Sequence, residues 1–237
     1  MVQAASTDYK VILLCNEKEK ELTLLKNEKL EQEKEANALK SENLETELKF
    51  LKSQINPHFL FNALHNIYTL SYIKSDLAPE MILKLSDMLR YILYDCTAEQ
   101  VSLSKEINYL KNYVELQQLK AEDADVTLKI AENIPQNIAI APMLMVPFLE
   151  NSFKHGKIED TEQGWIRAQL DWQMPYVTFK VENSVPETDF TKDKVGGIGI
   201  ANVKRRLELL YKDKHTLEIR EEEQEYQVHL RIEIDSQ

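Results

Sequence analysis

Three short stretches of this chain carry side chains whose types and spacing suit chemistry as well as packing. The first is Gln54-Ile55-Asn56-Pro57-His58-Phe59-Leu60-Phe61-Asn62. Its imidazole is a nucleophile and a proton carrier near neutral pH. Pro57 interrupts a helical pattern; there it cannot donate to the Ser53 carbonyl and its ring crowds that turn, at a cost of about 3 kcal/mol or more. Distortion beside a titratable group hints at function. Asn62 lies one helical turn after His58, where its amide can orient the ring. A kinked core helix with a satisfied histidine fits the same spacing. His65 has no proline before it and reads as structural.

The second stretch is Pro147-Phe148-Leu149-Glu150-Asn151-Ser152-Phe153-Lys154-His155-Gly156. On a helix, Glu150 and Lys154 share a face with Asn151 beside them. A carboxylate, an amide and a cation so grouped can hold a metal–phosphate unit, and an amide oxygen is a hard ligand suited to Mg²⁺. An ordinary surface pair one turn apart is the bland alternative, worth a few tenths of a kcal/mol. The third stretch is Gly196-Gly197-Ile198-Gly199-Ile200, which holds three of the five glycines and precedes a helical segment. Glycine permits close backbone approach, and a helix start offers free N–H groups to phosphate. The pattern matches neither a dinucleotide fingerprint nor a P-loop.

These stretches need elements to position them. Residues from about 16 to 49 are dense in Glu, Lys and Leu without Gly or Pro, and read as a long exposed helix. Leu30, Asn37, Leu44 and Leu51 recur every seven residues, with Leu48 and Ile55 at the alternate position. That is a coiled-coil seam, and it predicts a parallel dimer. The segment from Leu51 to Tyr72 is apolar on several sides. Pro79 opens a second helix with a stripe of Ile82, Leu85, Met88, Leu89 and Ile92. Two helices joined by a polar turn near 74–78 make a hairpin, and two hairpins make a four-helix bundle. A third helix is capped by Ser104 and runs to Lys120, with Ile107, Leu110, Val114 and Leu119 on one side.

After a polar break the pattern becomes mixed. Strands are expected at Val126–Ala131, Trp165–Gln173 and Tyr176–Val181, then a polar loop at Ser184–Val195. Helices are expected at Pro142–His155 and Asn202–Tyr211, and a hairpin at Leu217–Arg220 and Tyr226–Ile234. The expected fold class is α plus α/β, divided as a coiled-coil stem at 1–49, dimerisation helices at 50–121 and a helix-covered sheet at 122–237.

The 237 residues carry a net charge of −11, a poor match to nucleic acid as the main partner. Cys15 and Cys96 are far apart and stand outside any metal-ligand spacing, so free thiols are expected. No run reaches the length of a membrane span. The short apolar run Val11-Ile12-Leu13-Leu14-Cys15 reads as a helix start or as the end of a span lying before Met1.

Taken in order, the Asn-Pro-His-Phe-Leu-Phe-Asn box, the Glu-Asn-x-x-Lys-His-Gly helix and the glycine turn resemble the LytS/YehU-type sensor histidine kinases, over about residues 50–235. The C-terminal half is similar to the ATP-binding (GHKL, or Bergerat) sandwich shared by gyrase, Hsp90, histidine kinases and MutL. The resemblance implies that His58 is the phosphoacceptor, that Asn151 binds Mg²⁺ and that Glu150 aligns or polarises the reacting groups. Lys154 and His155 would approach the ATP. Gly197 and Gly199 would lie under the phosphates and residues 184–195 would form a lid. Arg205 or Arg206 would face phosphate or lie on a solvated helix face.

The sequence departs from the wider family at two positions. Phe59 stands where many histidine kinases have an acid next to the phosphoacceptor. The first glycine box, usually Asp-x-Gly or Asp-Asn-Gly, is replaced by Val181-Glu182-Asn183-Ser184. Asn183 is the expected adenine contact, with Glu182 the alternative one register away. The implied activity is phosphoryl transfer from Mg·ATP to His58 and then to an Asp of a response regulator, often of the LytTR type. The implied location is the cytoplasmic part of an inner-membrane sensor. A nucleotide-binding regulator that no longer uses His58, or a non-enzymatic coiled-coil scaffold, are the other expectations.

Overall fold

A computed structural model describes residues 56–119, 124–135, 137–156, 158, 163–185, 198–222 and 224–234, with Lys26, Lys29, Leu30, Glu33 and Lys34 of the stem. Those five stem residues are helical and exposed. The rest of the heptad seam, the run at 11–15 and the boundary near residue 122 lie outside the described residues. Residues 1–52 and 53–237 form two separate units.

Helix α1 spans Pro57–Tyr72. It begins where a capping residue permits: Asn56 is extended, and its side-chain oxygen accepts the Phe59 N–H at 3.1 Å. Pro57 thus occupies the first turn, where its missing N–H is not needed. The expectation of a strained proline inside a continuous helix is corrected, since the chain leaves helical geometry at Asn56. Phe59, Ala63 and Ile67, spaced by four, form the buried stripe. Lys74, at φ 56°, turns the chain into α2, Ala78–Arg90. There the inward positions are Met81, Leu85 and Met88, while Ile82, expected inside, is half exposed. A wide π turn at Tyr91–Asp95 follows and brings Tyr91 and Ile92 into the core.

Strand β1 is Val101–Ser102 and leads into α3, Leu103–Gln118. Ser102, not Ser104, is the capping position, and its side chain makes no capping bond. Helix α3 is buried around most of its circumference, with Leu103, Glu106, Tyr109, Leu110, Tyr113 and Leu116 all inside. It is therefore a central element and not a one-sided surface helix.

The remaining elements are β2 (Asp125–Ile130), β3 (Ala139–Ile140), α4 (Val146–His155), β4 (Trp165–Gln173), β5 (Tyr176–Ser184), α5 (Ile198–Leu210), β6 (His215–Glu221) and β7 (Glu225–Glu233). Five strands make one sheet in the order β2-β4-β5-β7-β6, with only the β2–β4 pair parallel. Strand β3 instead pairs with β1, Val101 opposite Ile140. Alternation sets the faces of the main sheet. Ala168, Val181 and Val228 lie in one cross-strand row, and Leu170, Phe179 and Leu230 in the next, all buried. The opposite face carries Arg167, Lys180, Glu182, His229 and Arg231 and has no helix packed on it among the described residues. The product is a two-layer sandwich whose core runs continuously from α1 through α3 to β7.

Candidate active site

His58 stands in the first turn of α1 with its side chain exposed. The Asn62 amide nitrogen lies 3.4 Å from both ring nitrogens, Nδ1 and Nε2. An equidistant, long contact places the amide against the ring without committing it to one nitrogen, so either remains available as a nucleophile. Phe59, the next residue, is buried and stacks on Tyr113 of α3. An apolar ring turned into the core cannot accept a proton from His58.

Helix α4 carries the second group. It is reached through a strap, residues 141–145, in which Met143 holds a left-handed φ of 60°, a conformation that costs a non-glycine residue of order 1–3 kcal/mol. Side chains from both flanking helices grip this strap. The Ala141 N–H donates to the Tyr211 hydroxyl at 2.8 Å. Arg206 donates to the Pro142 carbonyl at 2.6 Å. The Met143 N–H donates to Oε1 of Glu106 at 2.7 Å. Arg206 is thus turned into the protein toward Pro142 and Glu106, which corrects the expectation that it faces phosphate or solvent; Arg205 is exposed.

Along α4, Phe148, Leu149, Ser152 and Phe153 face inward, Glu150 and Asn151 are half-buried, and Lys154 and His155 are exposed. Among the described residues no ion pair joins Glu150 to Lys154. Burial, unrelieved by a cation, pushes the Glu150 carboxyl up to about 7. The helix ends on Gly156, whose N–H donates to the Ser152 carbonyl at 2.7 Å. A Cβ at Gly156 would lie 2.6 Å from that carbonyl oxygen and 3.3 Å from Cβ of Asn183, so only glycine lets the end of α4 settle on β5.

Strand β5 runs to Ser184, three residues past the expected end at Val181. Its alternation decides the register between the two adenine candidates. Asn183 follows Val177, Phe179 and Val181 into the helix-covered layer and is fully buried, opposite Ile166 and Tyr226. Glu182 lies on the other face, paired with Arg167 and Gln227. The Asn183 amide donates to the Ser184 carbonyl at 2.9 Å, but its Oδ1 has no hydrogen-bond partner among the described residues. Such a buried acceptor is rare and calls for a partner. Ser184 locks the neighbouring backbone, donating to the Gly156 carbonyl at 2.8 Å and accepting the Trp165 N–H at 3.0 Å.

Gly199 lies in the first turn of α5, and a Cβ there would meet Pro147 at an ordinary 3.5 Å, so the starts of α4 and α5 are neighbours. Gly197 and residues 186–195 of the expected lid lie outside the described residues, while Ser184, expected at its start, is the buried end of β5. Among those described, no three His, Cys, Asp or Glu side chains form a metal cluster. A metal at Asn151 would therefore rely on phosphate oxygens and water for most of its ligands. Two cavities, of about 480 and 620 Å³, are lined by neither Asn151 nor Asn183.

Sequence reasoning missed Glu106. It is fully buried, accepts a hydrogen bond from Tyr91 as well as from Met143, and lies within the field of Arg206. Burial raises its carboxyl above the usual range even against these three favourable interactions. The same burial, with the charge of Glu106, pushes the Cys96 thiol up to about 12, so the thiol is un-ionised at neutral pH. No sequence signal distinguishes Glu106 from an ordinary first-turn acid.

The histidine kinase family profile matches residues 46–124. The chain is 30% identical over 174 residues to the sensor histidine kinase YpdA of Escherichia coli (strain K12), covering 70% of this chain and 30% of that one. It is 33% identical over 124 residues to the sensor protein LytS of Oceanobacillus iheyensis, covering 52% of this chain and 21% of that one. The sensor protein kinase HptS of Staphylococcus aureus (strain USA300) matches at 35% over 125 residues, 52% of this chain and 23% of that one. The chain thus spans less than a third of the length of these curated relatives. Among solved structures, the Acinetobacter baumannii histidine kinase AdeS superposes with a TM-score of 0.43 at 11% identity, over 78% of this chain and 98% of that one. No helix among the described residues is long and apolar enough to cross a membrane. With the family profile over residues 46–124 and a sensor histidine kinase 30% identical over 70% of the chain, the chain belongs to the histidine kinase family, among the LytS-type sensor kinases.

Proposed function

We propose that this chain transfers the γ-phosphoryl group of ATP to His58 and passes it to an aspartate of a response regulator of the LytTR type. The observation that carries the reading is the exposed His58 imidazole with the Asn62 amide against both ring nitrogens. The unprotonated ring nitrogen attacks the γ-phosphorus, the bond to the bridging oxygen breaks, ADP leaves, and the N–H proton on the other ring nitrogen passes to solvent. In-line positioning does most of this work, because neutral imidazole is already nucleophilic. Mg²⁺ supplies charge neutralisation at the phosphates when bound. Asn151 would ligate it, with Glu150 aligning the reacting groups and Lys154, His155, Gly197 and Gly199 around the triphosphate. The orphan Oδ1 of Asn183 is the kind of acceptor an adenine amino group needs.

The dimer belongs to the same proposal. Phe61, Leu64, Tyr68 and Tyr72 leave an exposed apolar face on α1. A second copy would cover it in a four-helix bundle continued by the coiled-coil stem. On this reading residues 1–49 form the stem, 50–121 the dimerisation and phosphotransfer helices, and 122–237 a GHKL-type sandwich. Together they form the cytoplasmic part of a membrane sensor. Incubation with γ-labelled ATP tests the activity. The label is expected to be acid-labile, alkali-stable and absent from His58→Gln. ATP turnover without label would replace this reading with a nucleotide-binding regulator, and a chain that binds no ATP even with Mg²⁺ would leave only a scaffold.

A further inference from the structure

Glu106 is a fully buried carboxylate in the first turn of α3. A carboxylate is costly to bury and is kept inside only where donors and a cation meet it. Its contacts indicate what it does. Oε1 accepts the Tyr91 hydroxyl from the π turn that closes the His58 hairpin, and the Met143 N–H from the strap that leads into α4. One oxygen atom therefore joins the phosphoacceptor half to the nucleotide half. Arg206 completes the arrangement, attracting the carboxylate while it donates to the adjacent Pro142 carbonyl.

The strap is buried through Ala141, Met143, Leu144 and Met145, and side-chain hydrogen bonds fix its backbone. Its three consecutive peptide groups at 141–143 each bond to a side chain of α3 or to Arg206 or Tyr211 at the other helix. Met143 holds a left-handed backbone that the surroundings must impose. Helix α4 then starts at Val146 with no side-chain cap on Met145. Phe148, Leu149 and Phe153 seat α4 in the core, and the strap fixes where the helix starts, one turn before Glu150 and Asn151.

The geometry points to Glu106 as a positioning residue for phosphoryl transfer, fixing the strap so that α4 and the His58 hairpin share one frame. This rests on the proposed kinase reading. It assigns Glu106 no contact with ATP or with His58. Its role is carried through Met143 and Tyr91.

The test uses the full chain and three variants, Glu106→Leu, Glu106→Gln and Tyr91→Phe. Each is measured for unfolding in urea, for KM of ATP, for the His58 labelling rate at saturating Mg·ATP, and for hydrogen exchange at the Met143 amide. Glu106→Leu strands the Tyr91 hydroxyl and the Met143 N–H and is expected to unfold at a lower urea midpoint, and, where it is still fully folded, to lose at least tenfold in saturating rate with KM changed less than threefold and to exchange the Met143 amide at least tenfold faster. Glu106→Gln retains an acceptor for both donors and is expected to recover most of the rate. Tyr91→Phe keeps the ring and is expected to slow labelling three- to tenfold; it stands in if Glu106→Leu fails to fold. Wild-type labelling rates in the folded variants, or rate losses that merely follow losses of stability, overturn the assignment. A wild-type chain that never labels His58 instead overturns the kinase reading, and the assignment falls with it.

Discussion

The rings of Phe59 and Tyr113 stack with centroids 4.8 Å apart and planes tilted by 34°. Tyr113 then meets Phe153 edge-on, at 5.6 Å and 81°. Phe59 directly follows His58, and Phe153 lies two residues after Asn151. One aromatic ring on α3 thus bridges the residue beside His58 and the helix that carries Asn151. The Tyr113 hydroxyl accepts from Gln117 at 2.8 Å, which fixes its orientation.

Replacing Tyr113 with leucine keeps the site apolar but removes both ring contacts. Stability is expected to fall by about 2 kcal/mol, less than the 3–5 kcal/mol of a large aromatic cut to alanine. The labelling rate of His58 at saturating ATP is expected to fall tenfold or more while the dissociation constant for ATP holds. Urea unfolding and a nucleotide titration separate the two effects. A variant that binds ATP poorly but labels normally once saturated would contradict this bridging role.

Asn183→Leu tests the adenine contact. The orphan Oδ1 disappears, and a buried acceptor left unpaired costs about 1–3 kcal/mol. The nucleotide-free fold is therefore expected to stay within about 1 kcal/mol of wild type, despite losing the bond to the Ser184 carbonyl. Affinity for ATP is expected to drop roughly 10- to 100-fold, with the preference for ATP over GTP lost. Competition binding with the two nucleotides measures it; an undiminished preference for ATP would assign the base contact elsewhere.

Glu150 gives a dependence on pH. Its folded pKa of about 7 lies above the ordinary 4.5, so between these values the folded chain keeps a proton that the unfolded chain has released. The contribution to stability is fully present below 4.5 and is lost as pH rises through about 7. Glu150→Gln is expected to flatten that decline by up to about 3 kcal/mol. Unfolding curves taken between about pH 4 and 8 on both chains provide the comparison. Parallel slopes would show that the carboxyl is not held in its neutral form.

The sheet half was readable because its strands alternate cleanly. Trp165–Gln173 is found as expected, and the final hairpin differs only at its ends. Strands β1 and β3 have two residues each, too few to carry a period. Pro57 was misplaced because composition cannot tell a first-turn proline from an interior one; the difference lies in the extended backbone and capping side chain of Asn56. The choice between Glu182 and Asn183 was latent in the alternation Val177-Phe179-Val181, which puts Asn183 in the buried row. Glu106 and Arg206 were opaque for a different reason. Each looks like a solvated charge on its own helix, and only tertiary folding brings the two segments together.

The encasement of α3 also governs how the protein can come apart. Tyr91 and Phe59 lie against it from one half, and Met143 and Phe153 from the other. Severing the chain after residue 119 would leave a helix built for two neighbours with only one, and would open aromatic surface on both fragments. Residues 53–237 are therefore expected to melt in a single cooperative transition, which calorimetry checks. A disturbance that twists the hairpin reaches the nucleotide helix as elastic load, not as the swing of a loosely tethered part.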